Sequence, residues 1–287
     1  MKNLQTKTLA VLYLSYSDKK DWNMDRPAKE LKKIVQRIKT NTYIVYINNA
    51  IQKPAPAKKI SQNEHIISGD NKHWEFSGWQ KGINFLKQQK LKYDVLLLAN
   101  DTFLDDSFLH RRLINNAAVS CAIKHNAMIG SRNRLPINSQ VLGASMCPYA
   151  RTHIFLMAKV IADNLLSFVR LGFGQQERFF SREYTSPKQF FRKDAPITNE
   201  LKEYIFNYLT KNWKRKVPYT KEYYKFYKDK AMAILNSMML SYHTMEMYYP
   251  LIDFKKVKFF LRRDDFPNII NSYWNKNVQI RLRRNHL

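Results

Sequence analysis

The stretch Tyr93-Asp-Val-Leu-Leu-Leu-Ala-Asn-Asp-Thr102 holds the clearest structural signal in the 287-residue chain. Residues 94–99 form a short, mostly apolar run between polar residues, which is typical of a strand buried on both faces of a parallel sheet. The run stops abruptly at Asn100, Asp101 and Thr102. We therefore predict a central strand that ends in a polar turn.

Shorter signals of the same kind lie upstream of this strand. Residues 9–14, 42–47 and 65–67 read as strands, whereas residues 28–38 and 74–91 have helical spacing of their apolar positions. Residues 53–59 contain Pro54 and Pro56 and indicate a loop. This alternation predicts an α/β fold with a mainly parallel sheet flanked by helices.

The rest of the chain gives weaker patterns. Residues 127–130 read as a further strand, and residues 152–168 as an apolar segment that is helical in its second half. Residues 201–287 look mainly helical, basic and rich in tyrosine and phenylalanine. We place a boundary near Pro196, between a first domain of residues 1–195 and a C-terminal region of residues 196–287.

The charge of the chain is extreme. It has 49 basic and 23 acidic residues, for a formal net charge of +26 at pH 7. Such a charge implies a negatively charged partner, which can be nucleic acid, anionic lipid or a phosphorylated ligand. Composition excludes a collagen-like, coiled-coil or low-complexity chain.

Cysteine usage and hydropathy bear on the compartment. Two cysteines, Cys121 and Cys147, exclude a disulfide framework. No apolar run reaches the roughly 18 residues of a membrane span, and the first residues are too polar for a signal peptide. We expect a cytoplasmic protein.

Polar residues follow each predicted strand, and parallel sheets bind ligands at the carboxyl ends of their strands. The candidate ligand-binding residues are Tyr16, Asn48, Asp70, Asn71, Asn100, Asp101 and Thr102. The alternative to ligand binding is a purely structural role. Residues 100–102 would then form a turn closed by Asx hydrogen bonds, and residues 70 and 71 a plain loop before a helix.

Three motifs occur in order along residues 8–180. The first is Asn71 followed by Phe76-Ser-Gly-Trp79, the second is Tyr93-Asp94 with Asn100-Asp-Thr102, and the third is the aromatic run of residues 149–157. Together they resemble the GT-A glycosyltransferases of bacterial surface-polysaccharide assembly, in particular the rhamnan-synthesis-F-like group. In that resemblance residues 149–157 correspond to the family's later strand. The resemblance implies a GT-A, Rossmann-like domain.

The resemblance also implies an activity: transfer of a sugar from a nucleotide-sugar donor to a glycan or lipid-linked acceptor of capsule or O-antigen type. Asp101 would lie at the donor pyrophosphate, with the six other strand-end residues lining the donor site. The wider GT-A class has two carboxylates at this position, but Asn100 and Thr102 flank Asp101 here. A Mg²⁺ or Mn²⁺ ion at Asp101, or Lys and Arg side chains, can neutralise the pyrophosphate.

An inverting transferase also needs a general base for the acceptor hydroxyl. The stretch Gly174-Gln-Gln-Glu-Arg-Phe-Phe-Ser181 is similar to the late helix start that carries this carboxylate in inverting GT-A enzymes, which makes Glu177 the candidate base. The alternative is a carboxylate placed in a first helical turn because the helix dipole favours it there.

Residues 211–230 contain eight basic and two acidic residues interleaved with Trp, Tyr and Phe. This pattern suits an anionic membrane surface, single-stranded nucleic acid, or a solvated helix with a buried aromatic face. The resemblance favours the membrane, on the inner face of the cytoplasmic membrane. No motif for specific nucleic-acid binding is present, although a nucleic-acid-binding protein and an inactive nucleotide-sugar-binding homologue remain alternative functions.

Overall fold

A computed structural model describes residues 4–17, 25–50, 55–105, 112–146, 148–212 and 217–262. The protein has a mixed α/β fold built on an eight-stranded, mostly parallel sheet. The strands are β1 (Thr8–Ser15), β2 (Asn41–Asn48), β3 (Lys58–Ser61), β4 (Glu64–Ser68), β5 (Lys72–Trp74), β6 (Val95–Asn100), β7 (Met128–Asn133), β8 (Gln140–Val141), β9 (Ala144–Ser145), β10 (Tyr149–Ala158) and β11 (Leu251–Asp253). The α-helices are α1 (Arg26–Gln36), α2 (Glu75–Gln88), α3 (Asn116–His125), α4 (Lys159–Asn164), α5 (Gln176–Phe179), α6 (Asn199–Asn207), α7 (Tyr224–Glu246) and α8 (Val257–Leu261).

The strand order of the large sheet is β11-β7-β10-β6-β1-β2-β4-β3. Strand β1 pairs in parallel with β2 and β6, β2 with β4, and β7 with β11. Strand β10 is antiparallel to both of its neighbours, β6 and β7. Consequently the carboxyl ends of β1, β2 and β6 meet the start of β10 at one edge of the sheet.

The core has a layer on each face of the sheet because side chains alternate along the strands. On one face, Val11 and Tyr13 pack with α1 and α3. On the other face, Leu12 and Leu14 pack with α2, where Trp79 is fully buried. Strands β1 and β6 are apolar on both faces, as expected for central strands of an α/β sheet.

The strands and helices predicted before residue 130 are confirmed. The segment 152–168 is a strand as far as Ala158, and the helix predicted for its second half is present as α4, Lys159–Asn164. The region after residue 200 is mainly helical where the structure describes it, as predicted, and it also contributes β11. Strand β3 begins at Lys58, inside the predicted proline loop, whose residues 53 and 54 lie outside the described part of the chain.

Helix α7 ties the C-terminal region to the sheet. Its Ala233 and Leu240 belong to the cluster that covers the sheet, while Tyr227 and Leu235 belong to a third cluster with residues 141–209. Strand β11 pairs with β7, with Leu251 opposite Met128. The boundary at residues 195 and 196 stays a prediction.

Candidate functional site

A cleft of about 1060 Å³ lies at the sheet edge where β1, β2 and β6 end and β10 begins, with α7 along its other side. Of the residues predicted from the strand ends, five line it: Tyr16, Asn71, Asn100, Asp101 and Thr102. The topology brings these residues together because parallel neighbours end at the same edge.

Asp101 follows the last residue of β6 and begins a 3₁₀ turn that runs to residue 105. Its Oδ2 atom accepts a hydrogen bond from the backbone N–H of Tyr16 at 3.0 Å and one from the Ser15 hydroxyl at 3.4 Å. The end of β1 therefore fixes the orientation of this carboxylate at the cleft.

Asn100 is 8% exposed and closes a turn over residues 100–102. This is the Asx turn that the sequence offered as an alternative to ligand binding. Its Oδ1 atom accepts hydrogen bonds from the Thr102 backbone N–H at 3.1 Å and from the Thr102 hydroxyl at 2.7 Å. Its Nδ2 atom donates to the Thr152 carbonyl at 3.4 Å. The Asx turn is thus present, and it also holds β6 against β10 at the floor of the cleft.

Two of the predicted donor-site residues do not line the cleft. The Asn48 side chain donates to the Ser17 carbonyl at 2.9 Å and accepts from the Ala50 N–H at 2.8 Å. It is 3% exposed and shapes the chain after β2. Its role in the structure is to hold this loop, which corrects the expectation that Asn48 lines the donor site.

Asp70 is the second such residue. Its Oδ1 atom accepts from the Lys72 N–H at 3.0 Å, and its Oδ2 atom lies 3.6 Å from Lys81 Nζ. Burial opposes ionisation here, but hydrogen bonds from Lys72 and Ser77 and the charge of Lys81 outweigh it and lower the pKa of Asp70. Asp70 therefore stabilises the loop ahead of α2 and does not line the cleft, in agreement with the alternative interpretation of a plain loop.

That loop carries backbone strain. Asn71 and Trp74 both have positive φ angles, 49° and 53°, and both line the cleft. A bulky residue such as Trp rarely adopts this conformation, and such outliers concentrate at functional sites. The buried Asn49 side chain supports the loop by donating to the Trp74 carbonyl at 2.9 Å.

Helix α7 supplies the opposite wall of the cleft. The wall is a helical stripe of residues three and four apart, namely Lys225, Phe226, Asp229, Lys230, Ala233, Ile234 and Ser237. Lys230 Nζ lies 4.4 Å from the centre of the Trp74 ring, and the Phe226 and Trp74 ring centres are 5.8 Å apart. The basic C-terminal region thus contributes cations to the cleft, a role that the sequence analysis missed.

Other aromatic side chains of this region belong to the core. Tyr224 and Tyr227 are 4% and 2% exposed, and the Tyr219 ring packs edge-on against Tyr227 at 5.1 Å. Tyr224 and Tyr227 are thus core side chains, Tyr219 is half-buried and Tyr223 is exposed. The membrane contact of residues 211–230 stays a prediction. Residues 213–216 and the second basic cluster, 281–284, lie outside the described residues.

Two further groups at the floor were not singled out from the sequence. Arg151, on β10, lines the cleft and donates through Nε to the Asn133 side-chain carbonyl at 2.7 Å. Glu75, in the first turn of α2, is 7% exposed and accepts from the Thr152 hydroxyl at 2.9 Å. Burial raises the pKa of Tyr149, whose hydroxyl accepts a hydrogen bond from the Asn133 side chain at 3.0 Å.

Glu177 lies elsewhere. It is in the four-residue helix α5, does not line the cleft, and pairs with Arg182 at 2.9 Å. The side chains of Glu177 and Arg182 are 62% and 79% exposed. A base must lie within hydrogen-bond reach of the proton that it takes, and this placement does not bring Glu177 to the cleft.

The cleft is a poor match to a protein-held metal site. Among the described residues, no group of three or more His, Cys, Asp or Glu side chains could hold a metal ion. Asp101 contributes a single carboxylate, one oxygen of which already accepts two hydrogen bonds. The cationic groups Arg151, Lys225 and Lys230 line the same cleft. The carboxylates of Glu75, Glu222 and Asp229 line it too, and Asp229 pairs with Lys225 at 2.7 Å. We derive no chemical step through a metal.

Comparisons with known proteins leave the family open. No family model matches the chain, and no curated protein matches it. Among solved structures, the bifunctional IspDF from Campylobacter jejuni aligns with a TM-score of 0.34 and 12% sequence identity, over 56% of this chain and 44% of that chain. In the part of the chain that the structure describes, no helix is long and apolar enough to cross a membrane.

Proposed function

We propose that this protein is a glycosyltransferase that binds a nucleotide-sugar donor in the cleft at the carboxyl edge of the sheet. The acceptor would be a growing surface polysaccharide of capsule or O-antigen type. The observation that carries the proposal is the joint placement of an oriented carboxylate, Asp101, and three cationic side chains in one cleft. The resemblance of the strand-end motifs to GT-A transferases supports the same assignment.

The cations suit a diphosphate. Arg151, Lys225 and Lys230 can donate charge-assisted hydrogen bonds to phosphate oxygens. Lys225 pairs with Asp229 in the structure and would exchange this partner for a phosphate. During transfer, the acceptor hydroxyl oxygen forms a bond to the anomeric carbon and the hydroxyl proton passes to a base or to water. The bond between the anomeric carbon and the diphosphate oxygen breaks, and its electron pair leaves with the nucleoside diphosphate. Positive groups placed around that leaving group stabilise the charge that develops on it.

The aromatic groups suit the nucleoside. Tyr16 lies at the end of β1 with 63% of its surface exposed, and Trp74 and Phe226 line the same cleft. Of these rings, Tyr16 is the exposed one, and an exposed ring at a cleft mouth offers a flat surface on which a nucleobase can stack. The donor would therefore lie with its base outward and its sugar toward the floor.

We also propose that the protein works at the inner face of the cytoplasmic membrane, where a lipid-linked acceptor would be available. This part of the proposal rests on the charge of residues 211–230 and not on their aromatic rings. Lys211 and Lys221 are exposed, as an electrostatic contact with anionic lipid requires.

A thermal-shift panel tests the proposal. UDP, GDP, CMP and dTDP are each added with and without Mn²⁺, and a ligand that binds the native state raises the melting temperature. Selective stabilisation by one nucleotide is the expected result, and its dependence on Mn²⁺ would decide whether Asp101 works with a metal. No shift with any nucleotide would contradict the proposal and favour nucleic-acid binding.

A further inference from the structure

Glu75 is a buried carboxylate that forms no ion pair with any residue that the structure describes. It is only 7% exposed, yet within the described part of the chain the Thr152 hydroxyl is the sole hydrogen-bond partner of its side chain, and no ion pair reaches it. An ionised group in such a position is costly unless its remaining hydrogen-bonding capacity is used. Its place in the first turn of the 14-residue helix α2 offsets part of that cost.

The Glu75 side chain lines the cleft. Thr152 contacts one of its carboxylate oxygens, Oε1, and does not contact the other, Oε2. The Thr152 hydroxyl also lies 3.3 Å from the Ser237 hydroxyl on α7. One oxygen of the carboxylate is therefore fixed by Thr152 of β10, and Thr152 in turn contacts α7. A carboxylate in this state accepts hydrogen bonds and donates none, so it selects a ligand group that carries a proton.

The position of Glu75 indicates which part of a donor it would meet. Thr152 also accepts a hydrogen bond from Asn100 through its carbonyl, so Glu75 lies beside the end of β6, where Asp101 begins. Tyr16, at the mouth, is 63% exposed, whereas Glu75 is 7% exposed. With the nucleoside at the mouth and the diphosphate near Asp101, the floor at Glu75 is left for the sugar.

We propose that Glu75 is a specificity-determining residue that accepts a hydrogen bond from one hydroxyl of the donor sugar. This inference rests on the proposed function, because it assigns a role within the same cleft. A ligand that fills the cleft displaces the water from this acceptor. An analogue that lacks the matching hydroxyl then leaves the carboxylate oxygen unpaired, and the site discriminates against that analogue. The contribution appears in the binding of the nucleotide sugar and is absent from the binding of the nucleoside diphosphate alone.

The test compares two ligands on three proteins by calorimetric titration. The ligands are the nucleoside diphosphate that stabilises the wild type and the matching nucleotide sugar. The proteins are the wild type, Glu75→Gln, and Glu203→Gln as the same chemical change at an exposed position on α6. Glu75→Gln should bind the nucleoside diphosphate within about twofold of the wild type and the nucleotide sugar about 10- to 100-fold more weakly. Glu203→Gln should bind both as the wild type does.

Deoxy analogues of the nucleotide sugar, each lacking one hydroxyl, provide a second arm that needs only the wild-type protein. One analogue should lose about the same affinity for the wild type as Glu75→Gln loses for the full sugar. That analogue should bind Glu75→Gln no more weakly than the full sugar does, since the coupled pair is already broken. The wild-type part of this arm stands even where Glu75→Gln fails to fold.

Equal weakening of both ligands by Glu75→Gln, or unchanged binding of the nucleotide sugar, would overturn the inference. The inference would also fail if every deoxy analogue bound the wild type as tightly as the full sugar. If no nucleoside diphosphate or nucleotide sugar bound the wild type, the proposed function itself would fail and Glu75 would lose its assigned role with it. The two failures are thus distinguished by the wild-type titrations.

Discussion

The carboxylate of Asp101 accepts a hydrogen bond from the backbone N–H of Tyr16 at 3.0 Å, which joins the ends of two adjacent parallel strands, β6 and β1. The two residues are 85 positions apart in the chain. The contact turns Asp101 toward the cleft that begins where these strands end. The proposed donor site is organised around this relationship.

Lys225 and Lys230 should contribute binding energy for phosphate. Replacing each of them with Gln should weaken nucleoside diphosphate binding by about 10-fold and reduce its dependence on salt, because fewer cations then interact with the phosphates. Lys230→Gln also removes the cation–π contact with Trp74, at a cost to stability of about 0.5–1 kcal/mol.

Titrations at two salt concentrations measure the effects on binding, and urea unfolding measures the effect on stability. Lys255→Gln, on an exposed site, is the control and should bind as the wild type does; equal weakening in the control would refute a local role.

Gly69 should not tolerate a side chain, because a Cβ atom there would lie 1.9 Å from Asn49 Oδ1 and 3.0 Å from Asn49 Cα. Gly69→Ala should lower the free energy of unfolding by about 1–3 kcal/mol. The double variant Gly69→Ala with Asn49→Ala should be less destabilised than the sum of the two single variants. Urea unfolding measures this coupling. Gly174→Ala is the matched control, since nothing lies within 4 Å of its Cβ; additive effects at residues 69 and 49 would refute the predicted clash.

Asp70 should make stability depend on pH. Its folded pKa lies below the usual value of 3.8, so its contribution is present at pH values above that and is lost as the pH falls through the folded pKa. Asp70→Asn should therefore destabilise the protein by about 1 kcal/mol at pH 7 and progressively less below pH 4. Urea unfolding at pH 7, 5 and 3.5 tests this. A deficit that stays constant over the whole range would show that the charge of Asp70 is not responsible.

Cys121 should be unreactive in the folded protein. Burial raises the pKa of its thiol to about 12, so the thiolate that reacts with alkylating agents is scarce at pH 8. In a Cys147→Ser variant, iodoacetamide should label Cys121 slowly in buffer and rapidly in denaturing urea. Mass spectrometry follows the labelling. Rapid labelling of the native protein would mean that helix α3 opens readily or that the thiol is accessible.

Much of the fold was predictable from residues close together in sequence. Runs such as 9–14 and 95–99 are apolar at every position. Such runs are typical of strands that are buried on both faces of a sheet. Strand β11 was not predictable, because three residues are too few to show an alternation of apolar and polar side chains. Its pairing with β7 also depends on residues 123 positions away in the chain. Strand β10 was only partly recognised, since its apolar residues continue into helix α4.

The candidate site was predictable where it follows the strand ends and not where it depends on tertiary contacts. Asn100 and Asp101 were identified because polar residues directly follow a buried strand. Glu75 was overlooked because a carboxylate in a first helical turn is ordinary, and its partner Thr152 is 77 residues away. The spacing of residues 225, 226, 229 and 230 does indicate one helical face, but nothing local shows that this face meets a sheet edge.

The most direct test of the central claim measures release of nucleoside diphosphate from a panel of nucleotide sugars by the wild type and by Asp101→Asn, with water accepting the sugar in place of the glycan. Asparagine keeps an oxygen that can accept from the Tyr16 N–H, so the variant should fold and melt close to the wild type. Asp163→Asn, an exposed carboxylate on α4, is the control and should release nucleoside diphosphate at the wild-type rate. We expect the wild type to act on one class of nucleotide sugar and Asp101→Asn to be at least about 100-fold slower. Release at the wild-type rate by a folded Asp101→Asn variant would contradict the central claim.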